Sequence, residues 1–286
     1  MNVTVTSAAG TSLTSANDQF TYQPVPAVSG LTPAKGPTAG GTTVTVTGTD
    51  FTNVSAVTIG GTSASFSVSS ATQMTVTTPA RAAGVADLRV TTAGGTSAVV
   101  AADRFTYVAP PSVSGLAPTA GPIAGGTSVV ITGTGLGETS TVSFGGVSAS
   151  FTQDSATQVT AVSPLGAAGV VNVVVTTPGG DSPASAADEF TYAPTPTVTS
   201  VSPAAGPSGG GNTVTIAGTG LTGATAVKFG ASNASSFTVS SATQITATVP
   251  AGSGIVDVTV TTAGGTSSVS VADKYSYVPA PAVTGI

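Results

Sequence analysis

The sequence predicts an all-β chain built from tandem two-sheet antiparallel sandwiches, and three observations carry that reading. The triplet Phe20-Thr21-Tyr22 returns 85 residues later as Phe105-Thr106-Tyr107, then as Phe190-Thr191-Tyr192, and finally as Tyr275-Ser276-Tyr277. Within each copy, about seven short segments alternate apolar residues with Thr or Ser at period two, the spacing of a strand with one wet and one dry face. Gly and Pro pairs punctuate these segments at regular intervals, and nothing repeats with helical period.

Aligned on the triplet, the 286 residues contain complete copies at 27–107, 112–192 and 197–277. Residues 1–26 read as the C-terminal fragment of a preceding repeat plus a linker, and 282–286 as the start of a further repeat. The chain is therefore expected to be cut from a longer array. Residues 2–12 match the interior run that begins at Asp257, and Met1 stands where Val171 and Val256 occur, as a GTG codon read as a start or a cloning boundary would leave it.

Each copy opens with an extended segment, Val28 to Leu31, and then a Gly-Pro turn at Gly36-Pro37, Gly121-Pro122 or Gly206-Pro207. Paired glycines such as Gly40-Gly41 lead into the clearest strand, Thr43-Val44-Thr45-Val46-Thr47, with Thr on the wet face and Val on the dry one. Shorter strands follow at 56–59, 65–68 and 73–78, carrying Ile59, Phe66 and Met74. A further strand turns Leu88 and Val90 inward and Asp87 and Arg89 outward, and after the Gly94-Gly95 turn the copy closes on its aromatic triplet. The expected core is Val44, Val46, Ile59, Leu88, Val90 and Phe105 with their repeats.

The links between copies are short and carry proline: Pro24-Val25-Pro26, Pro110-Pro111, Pro194-Thr195-Pro196 and Pro279-Ala280-Pro281. Proline fixes φ and favours extended backbone, so each link is expected to be a semi-rigid spacer with neighbouring domains end to end.

Composition excludes several function classes. Six Lys and Arg against eleven Asp and Glu leave a net charge of −5, and the copy at 112–192 has no basic residue. Nucleic-acid binding needs clustered cations, so it is excluded, as is an anionic membrane surface. Apolar residues make up 40% of the chain but alternate with Thr and Ser, never reaching the roughly 18 in a row of a spanning helix, so no membrane insertion is expected. With no His and no Cys, neither a histidine-assisted nucleophile nor a thiolate metal site can be assembled.

Residue patterns that suggest chemistry have simpler structural readings. Gly218-Thr-Gly220-Leu-Thr-Gly223 matches a dinucleotide-binding pattern, but that motif needs a helix where a strand is expected here. Asp18, Asp103, Asp188 and Asp273 precede the closing aromatic by two residues. They read as turn caps rather than calcium ligands, which normally come in clusters of oxygens. The five tyrosines all belong to the closing motif, where one core ring and one half-buried neighbour are expected instead of a sugar-stacking platform. A glycosidase needs a buried, paired acid and nucleophile; the only glutamates are Glu138 and Glu189, and several aspartates occur at repeat-equivalent positions, which points to a structural role. The sequons at Asn2, Asn53 and Asn233 are assigned no function. No catalytic, metal-binding or cofactor-binding residue is expected.

The opening Pro26-Ala-Val-Ser-Gly-Leu-Thr-Pro-Ala-Lys-Gly-Pro-Thr-Ala-Gly-Gly41, with Val-Thr-Val-Thr-Gly48-Thr-Asp-Phe51 after it, and its counterparts at 111 and 196 resemble the IPT/TIG family of immunoglobulin-like domains. The resemblance covers essentially the whole chain and implies tandem early-set immunoglobulin-like sandwiches, a fold found in bacterial surface proteins, receptor ectodomains and some transcription factors. It implies no single function. The reading that follows is a non-enzymatic segment of a bacterial extracellular or cell-surface protein, acting as stalk and adhesion surface within a longer chain. Two alternatives stand beside it. One is an adhesin array whose loops 49–55, 134–140 and 219–225 bind a surface protein or polysaccharide; the other is a set of accessory domains of a secreted carbohydrate-active enzyme.

Overall fold

Alternation at period two becomes paired strands in the computed structural model, which describes residues 1–281. In the first repeat, Ala27–Thr32, Thr43–Thr49, Gln73–Thr77 and Ser65–Ser70 form one antiparallel sheet in that order. The facing sheet runs Lys35–Pro37, Arg104–Val108, Gly84–Thr92, Ala56–Ile59 and Thr62–Ser63, with Gly95–Thr96 also on Gly84–Thr92. The third repeat copies this layout. In the second, the single strand Val147–Gln153 pairs with Thr141–Phe144 at its start and with Gln158–Val162 at its end, bridging the two sheets.

One element departs from the expectation of purely antiparallel sheets. The residues read as a Gly-Pro turn, Lys35–Pro37, form a short strand parallel to the closing strand, with Gly36 opposite Tyr107. Ala120–Pro122 and Ala205–Pro207 repeat the pairing. Proline is tolerated there because the strand lies at the sheet edge, where its missing N–H costs no ladder bond.

The chain divides into two compact units, residues 1–110 with 178–180, and residues 111–177 with 181–286. The first contains the core built on 28–107, and the second holds two separate cores, at 113–192 and 198–277. Val44, Val46, Ile59, Leu88, Val90 and Phe105 are all completely buried, as are Val175, Phe190, Ile216 and Tyr275 at equivalent places. Most of them alternate with Thr or Ser on the outer face, and Leu88 with Asp87 and Arg89, which explains how a chain with so few charges keeps its apolar residues inside.

The closing aromatics correct the sequence reading. Both rings are in the core, Phe105 at 0% and Tyr107 at 1% exposure, packed edge to face with centroids 5.0 Å apart. Residues two apart on a strand share a face, so the pair cannot split between core and rim. Phe190 with Tyr192 and Tyr275 with Tyr277 repeat the geometry.

Residues 1–22 contain only a two-stranded pair, Thr6–Ser7 with Gly10–Thr11, a bridge from Asn2 to Gln19, and a short turn at Ala16–Asp18. Phe20 and Tyr22 are 52% and 73% exposed, whereas the same positions one repeat later are buried. The start of a further repeat expected at 282–286 lies outside the described residues.

Two outcomes follow from this packing. Limited proteolysis of the full chain should remove residues within 1–22 before it cuts inside 27–277, because two strands without a facing sheet hold little structure; equal protection of both regions would contradict this. Leu88→Ala should lower the stability of the first sandwich by about 2–5 kcal/mol in denaturant titrations, as expected for a large-to-small change in a filled core.

Candidate functional site

The repeated acids sit at the turn that feeds the closing strand. Asp103, Asp188 and Asp273 are fully buried. One carboxylate oxygen of each, Oδ2, accepts a backbone N–H three residues upstream: from Val100 at 2.9 Å, Ser185 at 2.9 Å and Ser270 at 2.7 Å. Asp18 does the same with Ser15 at 2.9 Å. These are turn caps, as the sequence suggested, and in three of the turns a serine hydroxyl accepts a second N–H, from Asn17, Ala187 or Ala272. The other oxygen, Oδ1, of each Asp is buried without a hydrogen-bond donor. Burial raises the Asp103 carboxyl above its ordinary value, with the nearby Asp87 charge adding to the rise. Burial likewise raises Asp273, and Asp257 beside it adds to that effect. Among the described residues, no three acidic side chains gather as a metal-holding group.

A second recurring arrangement lies where each sandwich meets the linker that enters it. In the second unit, the strand Gly254–Thr262 turns through Ala263 and Gly264 into Gly265–Thr266. Buried side chains fix that turn: Thr262 Oγ1 accepts the Gly264 N–H at 3.1 Å, and Ser267 Oγ accepts the Val260 N–H at 3.1 Å. Gly264 then lies against the linker, where a Cβ would stand 2.0 Å from the carbonyl oxygen of Pro194. Beside it, Tyr192, Pro194, Gly220, Thr222 and Thr262 line a cavity of about 340 Å³ between the two sandwiches of this unit. The first unit repeats the device. Thr92 Oγ1 accepts from Gly94 at 3.1 Å, Ser97 Oγ accepts from Val90 at 3.0 Å, and a Cβ on Gly94 would stand 2.2 Å from the carbonyl oxygen of Pro24.

Sequence reasoning marked Gly94-Gly95 as a turn but missed its contact with the linker. The signal was present: Thr and Ser flank that glycine pair at fixed offsets in both units. The loops considered for ligand contact are anchored more deeply than expected, because Phe51, Leu136 and Leu221 within them are buried. Gly218 to Gly223 ends the strand Thr213–Thr219 and leads to another strand, Ala226–Phe229, so no helix N-terminus meets it. Val85, Val170 and Ile255, at equivalent positions, point outward and are 58%, 58% and 71% exposed. Sequence reasoning did not single them out.

Comparison with known proteins agrees with this architecture. The family model described as IPT/TIG domain matches residues 26–107, 111–192 and 196–277. No curated protein matches the chain. Among solved structures, the plexin A4 extracellular region matches with 22% identity and a TM-score of 0.42, over 79% of this chain and 21% of that one. The FdeC adhesin of Escherichia coli matches with 16% identity and a TM-score of 0.32, over 92% of this chain and 100% of that one. The SGBP-B protein of a xyloglucan utilization locus in Bacteroides uniformis matches with 24% identity and a TM-score of 0.28, over 58% and 49%. The chain spans only 21% and 34% of the two plexin chains. At these identities the likeness is one of fold.

Three measurements check the two arrangements. Because burial raises the folded-state values of Asp103 and Asp273, their contribution to stability is present below the unfolded carboxylate value and is lost as pH rises through the folded one. As pH rises above the ordinary carboxylate value of about 4, wild type should therefore lose stability relative to Asp273→Asn, which keeps an oxygen for the Ser270 N–H but does not titrate; an unchanged difference would contradict the assignment. Excess calcium followed by chelator should leave the melting temperature unchanged; a shift of several degrees abolished by replacing Asp103 and Asp188 with Ala would overturn the capping role. Ser267→Ala should cost about 1–3 kcal/mol in the third sandwich by leaving the buried Val260 N–H unpaired.

Proposed function

The chain belongs to the IPT/TIG family, and from that premise we propose that it is a non-enzymatic spacer and adhesion segment of a bacterial extracellular or cell-surface protein. The contact of Gly264 with the Pro194 carbonyl carries the reading. A linker gripped by a hydrogen-bonded turn transmits position and force from one sandwich to the next instead of acting as a hinge. Proline at 194 and 196 removes further freedom from the same link. IPT/TIG immunoglobulin-like domains are typically non-catalytic, and we extend that to this chain, assigning it no catalytic, metal or cofactor residue. Its working units are 27–107, 112–192 and 197–277. A surface protein or polysaccharide is the ligand, met by the loops at 49–55, 134–140 and 219–225 through weak contacts summed over repeats.

Scattering tests the spacer role. Two compact sandwiches of this size joined end to end would extend on the order of 60 Å. Small-angle scattering of residues 111–277 is expected to give a largest dimension near that length, which falls when Pro194 and Pro196 are replaced with Gly. A globular profile, or one unaffected by those replacements, would remove the spacer role and favour a ligand-binding array.

A further inference from the structure

One corner of the third repeat brings together three groups that the other repeats do not combine. Asp257 and Lys274 lie directly opposite each other on the antiparallel strands Gly254–Thr262 and Lys274–Val278. Lys274 Nζ donates to Asp257 Oδ1. Next to them Asp273 is completely buried, held by the Ser270 N–H through Oδ2, while its Oδ1 has no donor partner. Asp273 immediately precedes Lys274, and its backbone carbonyl accepts the N–H of Val258, the residue after Asp257, at 2.9 Å, so the buried acid stands beside both members of the pair. Burial raises the Asp273 carboxyl above its ordinary value, whereas the hydrogen bond from Lys274 holds that of Asp257 down. A buried acid, a carboxyl and a primary amine therefore stand in sequence.

We propose that Lys274 Nζ and Asp257 Cγ condense to an intrachain isopeptide bond, with Asp273 as the proton donor, tying the closing strand of this sandwich covalently to its neighbour. The chemistry balances without any external reagent. A proton passes from the Lys274 ammonium to the Asp257 carboxylate, leaving a neutral amine and a neutral acid. The amine lone pair attacks Cγ. Asp273 gives its proton to the departing hydroxyl and recovers one from the nitrogen, so that a C–N bond forms, a C–O bond breaks and one water leaves. No electrons are transferred to or from the pair, and Asp273 is regenerated. Amide formation between a dissolved amine and acid is unfavourable in water, but groups held face to face reach effective molarities of about 10⁵–10⁸ M. The fixed register of the two strands supplies that orientation. Side-chain exposures of 46% for Lys274 and 32% for Asp257 leave the released water a way out.

The other repeats serve as internal controls. In the first, the same places hold Asp87, Asp103 and Arg104, and Arg104 Nε lies 3.8 Å from Asp87 Oδ1. A guanidinium stays protonated and is no nucleophile. In the second they hold Asn172, Asp188 and Glu189, with no amine. The buried acid is thus common to the repeats, and the third alone adds the lysine that can react. The cross-link does not depend on the spacer role, although it would strengthen the strand that leads into Pro279-Ala280-Pro281.

Intact mass spectrometry of the purified full chain tests this directly. The expected mass is one water below that of the sequence, and digestion should yield a branched peptide joining Lys274 to Asp257. Lys274→Arg keeps the cation and should restore the full mass, with a lower melting temperature. Asp273→Asn keeps the turn cap and should leave a larger uncross-linked fraction at a given time, in a sample whose circular dichroism confirms folding. A wild-type mass equal to the sequence, or a water loss that survives Lys274→Arg, would overturn the cross-link. Cross-linking of Asp273→Asn at the wild-type rate would overturn the role of Asp273.

Discussion

Between the turn at Thr262–Gly265 and the carbonyl of Pro194 there is room for a hydrogen atom and nothing larger. That close approach ties each sandwich to the backbone that enters it. It depends on the turn being held in shape before the linker reaches it, and buried Thr262 and Ser267 do this by accepting N–H groups that would otherwise be unpaired. These bonds satisfy the polar groups a buried turn must satisfy and place a side-chain-free surface against the linker. The same set of residues, shifted by two repeats, holds Gly94 against Pro24.

The sandwiches themselves are conventional in energy and unusual in composition. Apolar residues alternate with Thr and Ser, so each strand contributes to the core and covers the outer face with hydroxyls instead of charges. Each complete repeat also buries one aspartate, at the turn before its closing strand, for the sake of a backbone N–H. Burying a carboxyl is costly unless it is bonded or neutral, and the upward shifts of Asp103 and Asp273 are the consequence. In the third repeat that cost places an acid beside a lysine and a second carboxyl, a combination with chemistry of its own.

Much of this was legible in the sequence because the repeat acts as its own alignment. The core positions Val44, Val46, Ile59, Leu88, Val90 and Phe105 follow from period-two alternation, and the capping role of the aspartates, though not their burial, from their recurrence before the closing aromatics. Three features were not legible. Lys35–Pro37 looks like a turn locally and becomes a strand only because the closing strand offers it an edge to pair with. Tyr107 looks like a rim residue until a second sheet covers it. The junction glycine reads as an ordinary hairpin turn, since nothing local reveals that a linker many residues earlier in the chain passes beneath it. Each of these depends on a contact between segments distant in sequence, which local pattern does not encode.

The central claim is that the link entering a sandwich is held by its glycine turn, and a distance measurement across one junction tests it most directly. The chain has no cysteine, so Ser148→Cys in the second sandwich and Ser232→Cys in the third, both exposed, would carry the only two spin labels. Pulsed electron–electron distance measurements should give a single narrow distribution that broadens when Gly264 is replaced with Val. A broad distribution in the wild-type background, or one that Gly264→Val leaves unchanged, would show that the junction is a hinge and contradict the account.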